Sequence, residues 1–153
     1  IIAMLLVFTA LVALVNFMLG GAPDVMGAPL SVERILGWIF APLVWLAGIP
    51  WAESGVAGTV MGFKTALTEI FAYDALANLS DEMSPRTRLI MTYAACGFAN
   101  FSSVGILIGG LIAVAPSLRG DILNLAPRAL ISGTLATLMT GAVIGALPMA
   151  LFG

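Results

Sequence analysis

Apolar residues fill the first 20 positions of the chain almost without interruption. Asn16 is the one strongly polar residue among them, and Gly-Gly-Ala-Pro at 20–23 ends the run, because Gly and Pro stop helices. A helix needs about 20 apolar residues to cross a bilayer. The pattern therefore predicts a transmembrane helix over 1–20. A similar run predicts a transmembrane helix over 121–149, which we expect Pro127 to open.

Residues 31–50 predict a helix of another kind. Ser31 is a suitable N-cap, and apolar residues follow it at helical spacing. Trp38 and Trp45 suit a membrane interface, where aromatic side chains with a polar group concentrate. Pro42 would bend the helix. We therefore predict an interfacial helix over 31–50.

The segment 51–78 is too polar for a continuous helix in lipid. Its charged residues are Glu53, Lys64, Glu69 and Asp74. Small residues crowd its first part, and two short helical arms that meet near 62–68 would explain the pattern. We predict a re-entrant hairpin, which a membrane protein tolerates only where the tip is buried in protein or lines a wet cavity.

A long apolar segment over 84–116 predicts a discontinuous transmembrane helix. Ser84 and Pro85 form a strong helix start, with Ser as the N-cap and Pro at the first helical position. About 30 helical residues extend roughly 45 Å, which is longer than the hydrocarbon of a bilayer requires. A Gly and several polar residues interrupt the middle at 97–103. We therefore expect two half-helices with an unwound segment between them.

Composition agrees with a membrane setting. Hydrophobic residues make up 61% of the chain and charged residues 9%, against roughly 25% charged residues in a soluble domain. Together with the helical patterns, this predicts an all-α integral membrane protein. The net charge of −2 is too small to indicate nucleic-acid binding. The chain has no His, which excludes a His-ligated metal, and its single Cys96 is expected to be a small buried hydrophobic residue.

The start of the chain resembles the middle of a longer protein. It has no initiator Met and opens inside an apolar run, and no basic residue precedes Arg34. A signal peptide would begin with a basic region. We therefore expect the chain to be one part of a longer membrane protein.

Glu69 is the strongest candidate for chemistry. A carboxylate at the bilayer centre costs at least about 2.5 kcal/mol and usually serves a function. The alternatives are a structural pair with Lys64 or a position at the membrane edge. A single helix would bring this pair together poorly, because the two residues are not three or four positions apart. In a hairpin, they could serve different roles.

The predicted break at 97–103 is the second candidate. Asn100 and Ser103 can hydrogen-bond a polar solute, and unwound helices near the midplane commonly build transporter sites. The alternative is a Ser/Asn packing motif between helices. Phe98 could stack on a planar base, or it could pack in the core or face lipid. The motifs Gly105-x-x-x-Gly109 and Gly141-x-x-x-Gly145 are expected to serve close helix packing.

Several separated motifs together resemble one family. The signature of concentrative nucleoside transporters, G-x-K-x-x-x-N-E-F-V-A-Y, is similar to GFKTALTEIFAY at 62–73. Residues 79–106, which include Cys96-Gly97-Phe98-Ala99-Asn100-Phe101-Ser102-Ser103, look like the next span of that family. Residues 36–51 are similar to its interfacial segment. The resemblance covers nearly the whole chain in family order.

The resemblance implies a fold of two related halves with two re-entrant hairpins and two unwound helices, assembled as a homotrimer. This chain would be the C-terminal half, with the N-terminal half of the same transporter as its partner. By that likeness, Glu69 would bind the ribose hydroxyls, Asn100 and Ser103 would bind the ribose, and Phe98 would line the site. Lys64 and Thr68 would stand at the hairpin tip.

The chain departs from the signature at the hairpin tip. Thr68 replaces the Asn of the family, and Ile70-Phe71 replaces Phe-Val. Thr68 has no amide to make the hydrogen bonds of that Asn. The resemblance also implies that the first hairpin and the sodium site lie in the other half of the transporter. We therefore expect no metal site in this chain.

These observations predict a symporter that takes up nucleosides by alternating access, coupled to Na⁺ or H⁺, in the plasma membrane (the inner membrane of a bacterium). A transporter of another polar solute and a channel subunit are the alternatives. The chain has no Walker loop, Cys cluster or Ser-His pair, so we expect neither enzymatic activity nor an organic cofactor. The expected partners are a nucleoside, the lipid bilayer, the N-terminal half and two further copies, without nucleic acid.

Overall fold

The structure is a computed structural model that describes residues 2–21, 23–25 and 27–151. Within these ranges, every regular element is helical, which confirms the all-α class. Three short 3-10 turns accompany the helices, at Ser80–Glu82, Pro116–Leu118 and Met149–Leu151. The α-helices are α1 (Ile2–Leu19), α2 (Val32–Leu46), α3 (Trp51–Ala66), α4 (Glu69–Asn78), α5 (Pro85–Ala95), α6 (Phe101–Val114) and α7 (Arg119–Ala146).

Serine side chains cap the starts of α2 and α5. The hydroxyl of Ser31 accepts a hydrogen bond from the N–H of Arg34, and that of Ser84 accepts one from the N–H of Thr87, each at 3.3 Å. Pro85 follows Ser84 in the first turn of α5. These contacts satisfy backbone donors that a helix leaves free at its N-terminus. Local sequence chemistry therefore determines where α2 and α5 begin.

Helices α2 and α3 pack with their backbones in contact. A Cβ atom at Gly58 would clash with the carbonyl oxygen of Gly37, and one at Gly62 would clash with that of Glu33. Gly58 and Gly62, two of the small residues in the first part of segment 51–78, therefore serve this close approach, which small residues allow in membrane proteins.

The hydrophobic core lies between α2, α3, α4 and α5, and Leu138 of α7 reaches it. Helix α7 packs along α5 through Gly141 and Gly145, where an added Cβ would meet Ile90 at 3.4 and 2.9 Å. This second glycine ridge thus serves helix packing, as its spacing predicts. The first ridge does so in part: a Cβ at Gly105 would clash with the ring of Phe8, whereas Gly109 faces open space.

Two polar contacts join elements that are distant in sequence. The side-chain amide of Asn16 in α1 donates to both carboxylate oxygens of Glu33 at 3.0 Å and accepts from the N–H of Val32 at 2.8 Å. Glu53 at the start of α3 accepts from both the N–H and the hydroxyl of Ser84 at 3.0 Å. Helix α1 is thereby fixed to α2, and the first arm of the predicted hairpin is fixed to the start of α5.

Two expectations from the sequence are wrong. Pro127 does not open the last helix, because α7 begins at Arg119 and continues through it. A proline inside a helix loses one backbone hydrogen bond, and spanning helices tolerate this where neighbouring groups compensate. Cys96 is exposed, not buried, because it is the C-cap of α5, where the chain leaves the helix.

Length and hydropathy identify one helical stretch among the described residues as a candidate membrane span, the 31 residues Pro116–Ala146. The shorter apolar helices are Leu5–Leu19 and Phe101–Val114. Large apolar side chains are exposed along α1, among them Phe17 at 83%, and such surfaces usually contact lipid or another protein. The interfacial position of α2 and the re-entrant course of α3 and α4 stay predictions.

Candidate functional site

Helices α3 and α4 are separated by a two-residue break, Leu67 and Thr68. Both residues leave the helical conformation, with φ/ψ of −111°/−100° and −150°/171°. Glu69 follows directly and occupies the first turn of α4. An acidic side chain is favourable there, because the N-terminus of a helix carries a partial positive charge.

Helices α5 and α6 are separated by residues 96–100. Within this unwound segment, the N–H of Gly97 donates to the carbonyl of Ala95 at 2.9 Å, and the N–H of Asn100 donates to that of Phe98 at 3.0 Å. Tight turns thus replace the regular backbone hydrogen bonds of a helix in this segment. The side-chain oxygen of Asn100 accepts from the N–H of Ser103 at 2.7 Å and caps α6.

Asn100 also connects the two breaks. Its side-chain nitrogen donates to Oε2 of Glu69 at 3.3 Å, and its side chain is fully buried at 0% exposure. The N-terminal ends of α4 and α6 therefore meet at this contact. Among the described residues, Oε1 of Glu69 receives no hydrogen bond, so the carboxylate retains capacity for another donor.

Lys64 lies in the last turn of α3 and has 0% exposure. Its ammonium group donates to the hydroxyl of Thr137 in α7 at 3.3 Å. Lys64 and Glu69 thus hydrogen-bond to different partners, Thr137 in α7 and Asn100 in the unwound segment.

Two threonine hydroxyls near the break between α3 and α4 have no hydrogen-bond partner among the described residues. Oγ1 of Thr65 and Oγ1 of Thr68 are both buried, and neither forms a hydrogen bond with the described residues. Thr68 stands at the N-cap position of α4 without capping it through its side chain. Buried polar groups in proteins are nearly always hydrogen-bonded, so these two hydroxyls are exceptions within the described part of the chain.

Phe98 and Ser103 line an open cavity of about 440 Å³ between the unwound segment, α6 and α7. Phe98 is 76% exposed, so its ring presents its surface to the outside. The remaining lining residues are Ala99, Val104, Leu107, Ala129, Leu130, Gly133 and Thr137. Neither Glu69 nor Asn100 lines this cavity, so the structure places the four predicted site residues in two adjoining pairs, linked by the bond between Asn100 and Ser103.

Two residues next to these pairs were not predicted as site residues, although one of them, Tyr73, ends the family signature. Thr137 accepts the hydrogen bond of Lys64 and lines the cavity. Tyr73 donates its hydroxyl to the carbonyl of Thr92 at 3.0 Å and ties α4 to α5. Thr137 lies in an apolar helix with other threonines, and no local pattern separates it from them.

The arrangement suits binding of a polar solute. It offers a carboxylate with one free oxygen, an oriented amide and an exposed aromatic ring next to a cavity. A carboxylate accepts strong hydrogen bonds from hydroxyl groups. The described part of the chain contains no group of three or more Cys, Asp and Glu residues that could hold a metal ion.

Known proteins are similar to this chain in sequence and in fold. The family model for the C-terminus of Na⁺-dependent nucleoside transporters matches residues 1–145. The uncharacterized transporter YutK of Bacillus subtilis is 45% identical over 144 residues, which is 94% of this chain. Nucleoside permease NupC of Helicobacter pylori is 42% identical over 149 residues, also 94% of this chain.

A solved structure agrees with the sequence match. A variant of CNTnw in an intermediate state superimposes with a TM-score of 0.85 at 39% identity and covers 99% of this chain. The chain spans 36% of the length of YutK and of NupC, and 37% of the CNTnw chain. The chain therefore belongs to the family of Na⁺-dependent nucleoside transporters and matches its C-terminal region.

Proposed function

We propose that the protein containing this chain is a cation-coupled nucleoside symporter, and that this chain supplies the C-terminal half of the substrate site. The observation that carries the proposal is the hydrogen bond from Asn100 to Glu69, which joins the hairpin tip to the unwound segment. Family membership supplies the substrate class, since the matching model is described as Na⁺-dependent nucleoside transport.

The ribose is the part of the substrate that this site fits best. Two neighbouring hydroxyls can donate to one ionised carboxylate, and Glu69 has an oxygen that accepts no bond from the described residues. Asn100 and Ser103 bind the ribose from the start of α6, and Phe98 lines the site near the nucleoside. Lys64 and Thr68 support the hairpin tip.

Coupling and assembly belong to the whole transporter. The driving cation is Na⁺ or H⁺, and its site lies in the N-terminal half. Three copies assemble in the plasma membrane, and a substrate-bearing unit moves against the trimeric scaffold by alternating access. The two arms of the re-entrant hairpin, α3 and α4, move with that unit.

Uptake by the full-length protein with Glu69→Gln tests the proposal. The protein is reconstituted in proteoliposomes, and uptake of radiolabelled uridine is measured under a Na⁺ gradient and under a H⁺ gradient. Loss of the charged acceptor is expected to lower uptake at limiting uridine by about tenfold or more, the usual effect of removing a hydrogen bond to a charged group.

Asp74→Asn is the matched control. Asp74 lies on the same helix, is exposed, and accepts a bond from Asn78 at 3.2 Å. The same change of carboxylate to amide at this position is expected to leave uptake unchanged. Normal uptake by Glu69→Gln contradicts the assignment of Glu69. Failure of excess unlabelled uridine to compete indicates another polar solute, and uptake that does not saturate indicates a channel.

A further inference from the structure

Thr137, near the middle of α7, contacts both elements of the proposed substrate site. Its hydroxyl meets Lys64 in the first arm of the hairpin. Its methyl group meets Gly97 in the unwound segment. It also lines the cavity next to Phe98 and Ser103. One side chain thus contacts α3 and the 96–100 segment from a third helix.

The hydroxyl of Thr137 both accepts and donates a hydrogen bond. It accepts from the ammonium group of Lys64 at 3.3 Å and donates to the carbonyl of Thr134 at 2.9 Å. Lys64 has 0% exposure, so its charge depends on partners within the protein. A buried charge that loses its hydrogen-bond partner is costly, and this contact therefore holds the end of α3 against α7.

The methyl group of Thr137 fits a position that only glycine leaves open. A Cβ atom at Gly97 would clash with Cγ2 of Thr137. The φ of Gly97 lies outside the left-handed range, so the close approach, and not the backbone conformation, requires glycine here. Gly133 makes a similar fit one turn earlier, since its added Cβ would lie 3.1 Å from Cβ of Ala99.

We propose that Thr137 is a positioning residue for nucleoside binding, which sets the hairpin and the unwound segment in register so that Glu69 and Asn100 meet. The inference rests on the proposed function. Thr137 acts through Lys64 on the side of the hairpin and through Gly97 on the side of α6. A change at Thr137 should therefore alter the KM for nucleoside more than the maximal rate.

Two substitutions separate the roles of the hydroxyl and the methyl group. Thr137→Val keeps the shape and removes the hydroxyl, and Thr137→Ser keeps the hydroxyl and removes the methyl group. In the full-length protein, Thr137→Val is expected to raise the KM for uridine about tenfold, with a smaller change in maximal rate. Thr137→Ser keeps the bond to Lys64 but loses the contact with Gly97, so it should raise the KM less than Thr137→Val does.

Thr140→Val is the control for the same substitution on the same helix. Thr140 is exposed, and its hydroxyl bonds to the carbonyl of Ala136 one turn earlier. The KM of Thr140→Val for uridine should equal that of the wild type. Equal KM values for Thr137→Val and Thr140→Val overturn the proposal, and so does a Thr137→Ser protein as impaired as Thr137→Val.

A rescue experiment tests the contact with Gly97. Gly97→Ala is expected to raise the KM for uridine, because its methyl group would clash with Cγ2 of Thr137. The double variant with Thr137→Ser removes that clash and should bring the KM back toward the wild type. This arm remains informative if Thr137→Val fails to fold, and a double variant no better than Gly97→Ala overturns the proposal.

Uptake by the wild type and by Glu69→Gln is measured in the same experiment. These two measurements show whether a negative result refutes the proposed function or only the role of Thr137. Absence of saturable uridine uptake by the wild type refutes the proposed function and this inference with it. Wild-type uptake that falls with Glu69→Gln, together with an unchanged KM for Thr137→Val, refutes this inference alone.

Discussion

Asn100 serves two functions at once. Its oxygen caps α6 at 2.7 Å, and its nitrogen contacts Glu69 at 3.3 Å. Because the amide is rigid, the cap fixes the direction in which the nitrogen points. Helix capping thereby orients the group that joins the hairpin to the unwound segment.

Asn100→Ser separates these two functions. Serine is about as good an N-cap as asparagine, whereas alanine loses typically about 1 kcal/mol. We expect Asn100→Ser to weaken uridine binding while its thermal unfolding stays nearer the wild type than that of Asn100→Ala. Uridine titration and thermal unfolding of the purified full-length protein provide the two readouts. Wild-type affinity in Asn100→Ser contradicts a binding role for the contact.

The sequence predicted site roles for Glu69 and Asn100, which the structure joins by a hydrogen bond, but it did not point to Thr137. A charge in an apolar segment and an Asn beside a helix break are visible locally. The role of Thr137 depends on Lys64, 73 positions away, and neighbouring threonines such as Thr134 and Thr140 have the same local character. Only the tertiary fold distinguishes them.

The hairpin and the broken helix each consist of two helices joined by a short non-helical stretch. The first arm, α3, is held along α2 by direct backbone contact at Gly58 and Gly62. The second break is seated on α7 by Gly97 and Gly133. Glycine at these contacts allows the helices to pack closely. The two breaks then lie near enough for Asn100 to contact Glu69.

Gly58→Ala tests this packing, with Gly55→Ala as the control on the same helix. A Cβ at Gly58 would clash with the carbonyl of Gly37, whereas Gly55 faces open space. We expect Gly58→Ala to cost about 1–3 kcal/mol of stability. Gly55→Ala should be neutral or stabilising by up to about 1 kcal/mol. The melting temperatures of the two purified variants test this expectation. Equal melting temperatures would contradict the close contact between α2 and α3 at Gly58.

Helix starts were easier to predict than helix interiors. Ser31 and Ser84 identify the first turns of α2 and α5 because capping is a local interaction. Pro127 misled the same reasoning, since proline suits a first turn but also occurs within spanning helices. The close contact of α2 with α3 involves groups on two helices, so the sequence of either helix alone does not identify it. Gly58 and Gly62 show only that a close contact on α3 is sterically possible.

The whole chain carries about one third of the length of its relatives. It contains one side of the proposed substrate site, at the N-terminal ends of α4 and α6, and an apolar outer surface along α1. The cation site is expected in the N-terminal half. Substrate and cation binding should therefore respond differently to changes in this chain.

Cation dependence tests this division. In the full-length protein, Glu69→Gln should raise the KM for uridine but leave the cation concentration for half-maximal uptake unchanged when uridine is saturating, because the carboxylate contacts substrate and not the cation. Uptake is measured as a function of the Na⁺ or H⁺ concentration. A shift of several-fold in the half-maximal concentration argues for a cation ligand within this chain.

The central claim is that Glu69 accepts hydrogen bonds from ribose hydroxyls. Binding of uridine, 2′-deoxyuridine and 3′-deoxyuridine to wild-type and Glu69→Gln full-length protein, measured by titration calorimetry, tests it most directly. The wild type should bind at least one deoxy analogue about tenfold more weakly than uridine. Glu69→Gln should bind that analogue with nearly the same affinity as it binds uridine. If Glu69→Gln discriminates between uridine and both analogues as strongly as the wild type, the carboxylate does not bind the ribose.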